Sequence, residues 1–466
     1  MTTLQKTTLV VLGILATGQL LHAEERTDPS LALPFQSTAL HTEYRENLSD
    51  EEKLAGLSLV WSEAKYNFAN FDLVPQLDWD ARYMAFIPRV LATGDTAGYY
   101  GELQRFIAGL NDGHSNVTPP SEVRNKESRP PVYTRLVGGE IVIYLIDSRK
   151  LLDEGLAVGQ VIRAVDGVPT LEYAAQRVTP FVASSTQQDR EVRSFNYQLL
   201  RGPKDAPVEL TVDDLDGGTR KFTVPRSGYT DEDDAVPSPG FFSWRWAADG
   251  VALIETRSFN DKQYLEDFRE ALPELMKAEA WIFDIRLNGG GNSSVGFGML
   301  EHITEQDFQV FAWWTRIYRP TFRAWQRDTA WAWHDAGAGT WESEAQPKFN
   351  GQVAVLTSAR TYSAAEDFAI AFRQLDRGPI IGQTTGGSTG QPLHQPLPGG
   401  GSFRICTKRD TAGDGTEWIG IGIAPDIGVD PTLASIRSGD DPVLQRAIAE
   451  VTQEPSSAAA RTDGPP

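Results

Sequence analysis

Cysteine is nearly absent: the 466 residues contain Cys406 and no other. One thiol excludes an intrachain disulfide and every zinc site built from paired cysteines. Histidine is scarce too, with six in the chain, and no two stand at the His-x-x-x-His spacing that sets two imidazoles on one helix face. Metal-dependent hydrolysis is disfavoured on that ground, and neither a metal nor another cofactor is expected. Runs of basic residues are missing as well. Lys and Arg number 43 against 63 Asp and Glu, a formal charge of −20. Neutralising phosphates takes clustered cations, which argues against nucleic acid as a partner.

Long apolar runs are confined to the N-terminus. Residues 1–23 place Lys6 ahead of an apolar stretch from Leu9 to Leu21, with Ala23 before Glu24-Glu25. That is the layout of a cleaved signal peptide, and the stretch is shorter than the ~20 residues a spanning helix needs. The expectation is an exported chain, periplasmic or extracellular, with no integral membrane segment after cleavage. What remains has ordinary globular composition: 40% hydrophobic residues, with 12 Trp, 13 Tyr and 21 Phe. The length suggests about three domains.

Periodicity divides the chain into blocks. A polar leader, 24–46, precedes a helical domain at 47–120. There Ser49 and Glu52 have capping-box spacing, and Leu54, Leu57, Trp61, Ala64 and Phe68 recur every three or four residues. Tyr83–Leu91 is a second apolar run that Pro88 should kink or end, and Tyr99–Leu110 a third. Residues 128–226 read as short strands between glycine turns with one helical stretch, a β-rich module. From 236 to 452 strands alternate with helices, which argues an α/β fold. An insert at 311–341 holds six of the 12 tryptophans and reads equally as a lid or a packed sub-core. The tail 453–466, rich in Ser, Ala and Pro, is expected to be disordered.

Two loops in the α/β segment could carry chemistry. Arg286-Leu287-Asn288-Gly289-Gly290-Gly291-Asn292 follows a hydrophobic strand, and its glycines can present N–H groups to an anion. It fits an oxyanion hole, a phosphate loop lacking its Lys-Ser/Thr ending, or a plain turn. Tyr362-Ser363-Ala364-Ala365-Glu366 follows a strand and opens a helix. Ser363 and Glu366 could form a capping box, or the same turn could expose the Ser363 hydroxyl with the Ala364 N–H beside a forming oxyanion. A serine nucleophile needs a base. After loss of residues 1–23 the histidines are His41, His114, His302, His334 and His394, with His114 in the loop Asn111-Asp112-Gly113-His114-Ser115.

Several strings together resemble the tail-specific, or C-terminal processing, serine peptidases: Asp284-Ile285-Arg286-Leu287-Asn288-Gly289-Gly290, Ser363-Ala364-Ala365-Glu366, Gly382-Gln383-Thr384-Thr385-Gly386 and Gly420-Ile421-Gly422-Ile423-Ala424-Pro425-Asp426. The block ending in Leu110-Asn111-Asp112-Gly113-His114 and a PDZ-like stretch from Gly159 to Gly167 complete the order. The resemblance implies a crotonase-like (ClpP-like) ββα catalytic domain behind a helical domain and a PDZ-like module, acting on peptides or protein C-terminal tails. Family members of the best-known type carry a lysine about 25 residues after the serine in a Thr-x-Gly-Lys segment. Here that stretch reads Thr384-Thr385-Gly386-Gly387-Ser388. The departure points to the tricorn-like branch, whose base is an N-terminal histidine supported by Ser and Glu. The resemblance then implies Ser363 as nucleophile, His114 as base, Glu417 as its orienting group with Ser115 as possible support, and Ala364 with Gly289 or Gly290 as oxyanion donors. A histidine base predicts rate loss as pH falls through about 6–7. The alternative is a non-catalytic protein binding peptides or hydrophobic ligands on the same fold.

Overall fold

The computed structural model describes Ser30 and residues 38–453, apart from Asp216, 227–234 and 236–239. The export segment 1–23, nearly all of the leader to residue 37, and the tail beyond 453 therefore lie outside the described residues. Contacts divide the chain into Met1–Ala39 and Leu40–Pro466, and the architecture below is that of the second unit. Among the described residues no helix is long and apolar enough to cross a membrane.

Three helices open this unit, Asp50–Asn67, Trp79–Leu91 and Thr96–Ala108. The first is started by the capping box, in which the Glu52 N–H donates to Ser49 Oγ and the Ser49 N–H to the Glu52 carboxylate. Pro88 lies inside the second helix, and Pro273 inside the later helix Gln263–Leu275. Both prolines sit in a last turn, where the missing N–H leaves a single carbonyl unpaired near an end that frays anyway. The core of the three helices does not close on itself. Leu57, Val60, Tyr100 and Phe106 pack with Leu397, Phe403, Ile405 and Cys406 from far along the chain.

Those late residues belong to a hairpin, Pro392–Pro396 with Ser402–Cys406, and its second strand also pairs with Asn116–Thr118. The hairpin carries prolines at Pro392, Pro396 and Pro398. The first two sit on the outer strand of the three, where a missing N–H costs no ladder bond. The pairing Asn116↔Arg404 holds the chain two residues after His114 against the α/β segment.

An antiparallel sheet ordered 132–137, 140–146, 161–165, 208–213 and 219–224 follows the helices. It carries more helix than the single stretch expected: Arg149–Asp153, Thr170–Arg177, Gln187–Glu191 and a π-helical stretch Val192–Gln198. The last two are too short for a legible period and are fixed by tertiary bonds, the Gln188 amide donating to the carbonyls of Thr385 and Ile421.

The α/β segment centres on a six-stranded sheet ordered 242–248, 251–256, 280–284, 352–357, 380–382 and 427–428. Only its first pair is antiparallel. Alternation along the strands fills both faces. Ile254, Trp281, Phe283, Val353 and Val355 meet helices Gln263–Leu275, Ser293–Leu300 and Ala364–Leu375. Leu253, Ile282, Ala354, Leu356 and Ile381 meet helix Pro442–Thr452. Burial on both sides is why these strands read as unbroken apolar runs. The tryptophan-rich insert is a ribbon of Phe308–Tyr318 against Trp331–Trp341, packed at its base by Trp341 on Phe297 and exposing Trp325, Trp331 and Trp333 farther out.

Candidate active site

In open parallel sheets, ligand sites form beyond the carboxyl ends of the strands. Here the loops after Ala280–Asp284, Gln352–Thr357 and Ile380–Gly382 meet at that edge and are tied to one another. The fully buried Asn288 donates from Nδ2 to the Thr256 carbonyl and accepts the Tyr362 N–H at its own carbonyl. Thr361 Oγ1 donates to the Ile285 carbonyl (2.9 Å), and the Ser363 N–H to the Ser388 carbonyl (3.1 Å).

Ser363 stands between strand and helix with φ +56° and ψ −127°. A non-glycine residue in that region is strained, and the surroundings must hold it there. The strain lifts its hydroxyl off the helix axis, and Oγ lies 3.1 Å from His114 Nε2. His114 Nδ1, on the other side of the ring, lies 2.8 Å from Ser388 Oγ. The Asp112 carboxylate accepts the His114 N–H, and the Tyr362 ring stacks on the imidazole at 5.2 Å. Burial, reinforced by the Arg404, Arg193 and Lys408 charges, pulls the imidazole pKa down to about 3. A neutral ring follows, and with it a correction: the acid limb expected near 6–7 moves well below that range.

Glu366 lies directly under this group, fully buried. Its carboxylate accepts from Thr385 Oγ1, from the N–H groups of Gly387 (2.7 Å) and Ser388 (2.8 Å), and from the Ser363 N–H (3.3 Å). Burial outweighs these donors and pushes its pKa up to about 7. One carboxylate thus fixes the backbone on both sides of the imidazole.

The glycine loop completes the site. A Cβ on Gly290, whose φ is +94°, would stand 2.6 Å from Ser363 Cβ and 2.9 Å from the Ala364 nitrogen, so only glycine permits this approach. The Gly290 N–H itself donates to Asn288 Oδ1 (2.8 Å). Among the described residues the N–H groups of Gly289 and Ala364 have no protein acceptor. Of the donor pair expected, Gly289 and Ala364 remain open, while Gly290 serves as spacer.

The remaining expected residues are placed apart. Glu417 is exposed, its backbone bridging Thr411, and among the described residues its carboxylate makes no hydrogen bond to His114. Ser115 is buried and accepts the Cys406 N–H, which anchors the hairpin. Lys408 pairs with Asp410 (2.7 Å) and Lys348 donates to the Glu301 carbonyl, so neither approaches as a base. His302 is buried with Nδ1 at the Pro347 carbonyl, a packing role. Among the described residues no three His, Cys, Asp or Glu side chains gather as a metal ion would require.

Ser388, Glu366 and Asn288 were assigned no such roles from sequence. A signal for the first existed: it stands 25 residues after Ser363, where relatives of the best-known type carry lysine.

Residues 250–429 match the model of peptidase family S41. That segment is an S41 peptidase domain. The chain is therefore a serine-type peptidase, a hydrolase. Solved structures agree at the level of fold. Mature CPAF aligns with a TM-score of 0.66 at 15% identity, covering 83% of this chain and 94% of its own. A photosystem II D1 C-terminal processing protease aligns at 0.50 with 17% identity, covering 81% and 93%. In the S41 domain the loops at 286–292, 358–363 and 383–389 supply Ser363, Ser388 and the free N–H groups, while His114 arrives from outside it.

Proposed function

We propose that the chain is an exported endopeptidase or tail-cleaving peptidase that works through Ser363 and His114. The observation that carries this reading is the line from Ser363 Oγ to His114 Nε2 (3.1 Å) and from Nδ1 to Ser388 Oγ (2.8 Å). With Nδ1–H donating to Ser388, Nε2 bears the lone pair and takes the serine proton as Oγ attacks the peptide carbonyl. The oxyanion forms against the N–H groups of Ala364 and Gly289. Collapse expels the amine, which receives the proton from His114. Water then attacks the acyl carbon on Ser363 and gives its proton to the same nitrogen, and collapse returns that proton to Ser363 Oγ as the acid leaves. Ser388 orients the ring in place of Glu417, and Glu366 holds Ser388.

The antiparallel sheet within 128–226 supports its reading as a PDZ-like module that captures an extended peptide by strand addition. The helix-flanked, mainly parallel sheet within 236–452 likewise supports a crotonase-like catalytic domain, and the three packed helices a helical domain at 47–120. Peptides and protein C-terminal tails are the substrates this arrangement suits.

A serine-directed fluorophosphonate tests the reading. It should label the wild-type chain and hydrolysis of unfolded protein should be measurable, both lost in Ser363→Ala. An unlabelled wild type without peptidase activity would instead favour a non-catalytic binder.

A further inference from the structure

The tryptophan-rich ribbon takes no part in the catalytic steps above. Strand Lys408–Thr411 pairs with residues 312–315 only, so beyond Thr315 the ribbon is two strands and a turn. One face of it leans on the first helix. Tyr318 and Trp331 stack at 4.3 Å and meet Tyr66, while Arg316 lies over Trp331 and donates to the Phe68 carbonyl (2.9 Å).

The turn, 319–330, is built differently. Phe322 and Trp325 stack at 6.0 Å, and Trp325 is 59% exposed. The Arg327 guanidinium lies over both rings, 5.1 and 4.7 Å from their centroids, and that of Arg319 over Phe322 at 5.6 Å. Arg323 donates to the Tyr318 hydroxyl (3.2 Å) and Arg319 to the Thr329 carbonyl (3.3 Å). Among the described residues none of these three arginines pairs with a carboxylate. Between Arg316 and Trp331 four arginines stand against Asp328 alone, in a chain of formal charge −20. On the nearby helical segments Asp72 is held by Arg409 and Asp80 by Lys65. Screening confines charge effects to about 8 Å at physiological salt, so the basic turn can meet an anionic surface despite the acidity of the whole.

An exposed indole set among unpaired guanidiniums suits the headgroup layer of a bilayer, where Trp rings settle and arginine forks bind phosphate. A stable protein interface takes about 20–30 residues a side, more than this turn offers, whereas a bilayer needs only an inserted ring and cations close by. We propose that the turn 319–330 docks the protein on an anionic lipid bilayer, with Trp325 in the headgroup layer and Arg319, Arg323 and Arg327 against lipid phosphates. This docking goes beyond the peptidase reading and does not depend on it.

The test sediments the chain from Glu24, which keeps the whole unit Leu40–Pro466, with vesicles of phosphatidylcholine or of an equimolar mixture with phosphatidylglycerol. The wild type should bind the mixed vesicles and leave the neutral ones largely bare. Each cation near an anionic surface is worth about fivefold, so replacing all three arginines by Gln should weaken binding about a hundredfold. Lys at the same positions should keep most of it, and Trp325→Ala should lose about tenfold. Equal binding to both vesicles, no binding by the wild type, or wild-type binding by the Gln variant overturns the proposal. Competition by polyglutamate combined with full binding by Trp325→Ala assigns the turn to an acidic protein and overturns it equally. If the Gln variant does not fold, the wild type decides: binding to mixed vesicles must fall steeply with added salt, and salt-independent binding overturns the docking.

Discussion

Replacing Ser388 with alanine removes one oxygen, and the structure says how much that should matter. The hydroxyl lies 2.8 Å from His114 Nδ1, and both residues are buried, at 0% and 5% exposure. Water has little access to replace it, so the imidazole N–H loses its partner outright. An unsatisfied buried donor costs about 1–3 kcal/mol. The ring can escape that cost by moving its proton to Nε2, which is the tautomer unable to accept from Ser363. Either route subtracts from transition-state stabilisation, so kcat should fall about 5- to 150-fold. Binding of the peptide does not involve Nδ1, so KM should change little. Ser388→Thr keeps the hydroxyl and should recover most of the rate, which a merely structural role would not predict. Glu417→Ala, by contrast, should leave kcat within about twofold. The assay is steady-state hydrolysis of a fluorogenic peptide. Wild-type kcat in Ser388→Ala, or a large loss in Glu417→Ala, would refute the orienting role.

Three further outcomes follow from the same geometry. Gly290→Ala should lower kcat by at least about tenfold, because the new Cβ would meet Ser363 Cβ at 2.6 Å and the Ala364 nitrogen at 2.9 Å. The two buried titrating groups act on stability with opposite signs. His114, lowered from 6.5 to about 3, favours the folded chain increasingly as pH rises from about 3 to 6.5. Glu366, raised from 4.5 to about 7, disfavours it increasingly as pH rises from about 4.5 to 7. In Glu366→Gln the second effect is gone, so melting temperature should climb more steeply with pH between about 5 and 7 than in the wild type; equal slopes would contradict the burial argument. Arg286→Met leaves the buried Asp284 without its guanidinium, while water screens the partly exposed Asp441, so the loss should cost about 1–3 kcal/mol. Urea denaturation with an unchanged midpoint would count against it.

The local pattern of residues set much of this protein before any contact was known. Apolar runs such as Val251–Glu255 and Trp281–Ile285 dictated strands buried on both faces. The strand-to-helix turn marked Ser363, and the scarcity of histidine left few bases to choose from. Short-range spacing could not reach further, because the groups that orient the imidazole are paired through space. Ser388 meets His114 across 274 residues, and the hairpin core that draws them together joins Tyr100 and Phe106 to Phe403 and Ile405. Glu417, proposed by resemblance, sits exposed with its backbone bridged to Thr411. The ionisation states were equally beyond sequence: a histidine near 3 and a glutamate near 7 follow from burial, which only the packed fold creates. Sequence and its resemblance named Ser363 and His114; only the tertiary structure set Ser388 and Glu366 beside them, because those contacts close through space.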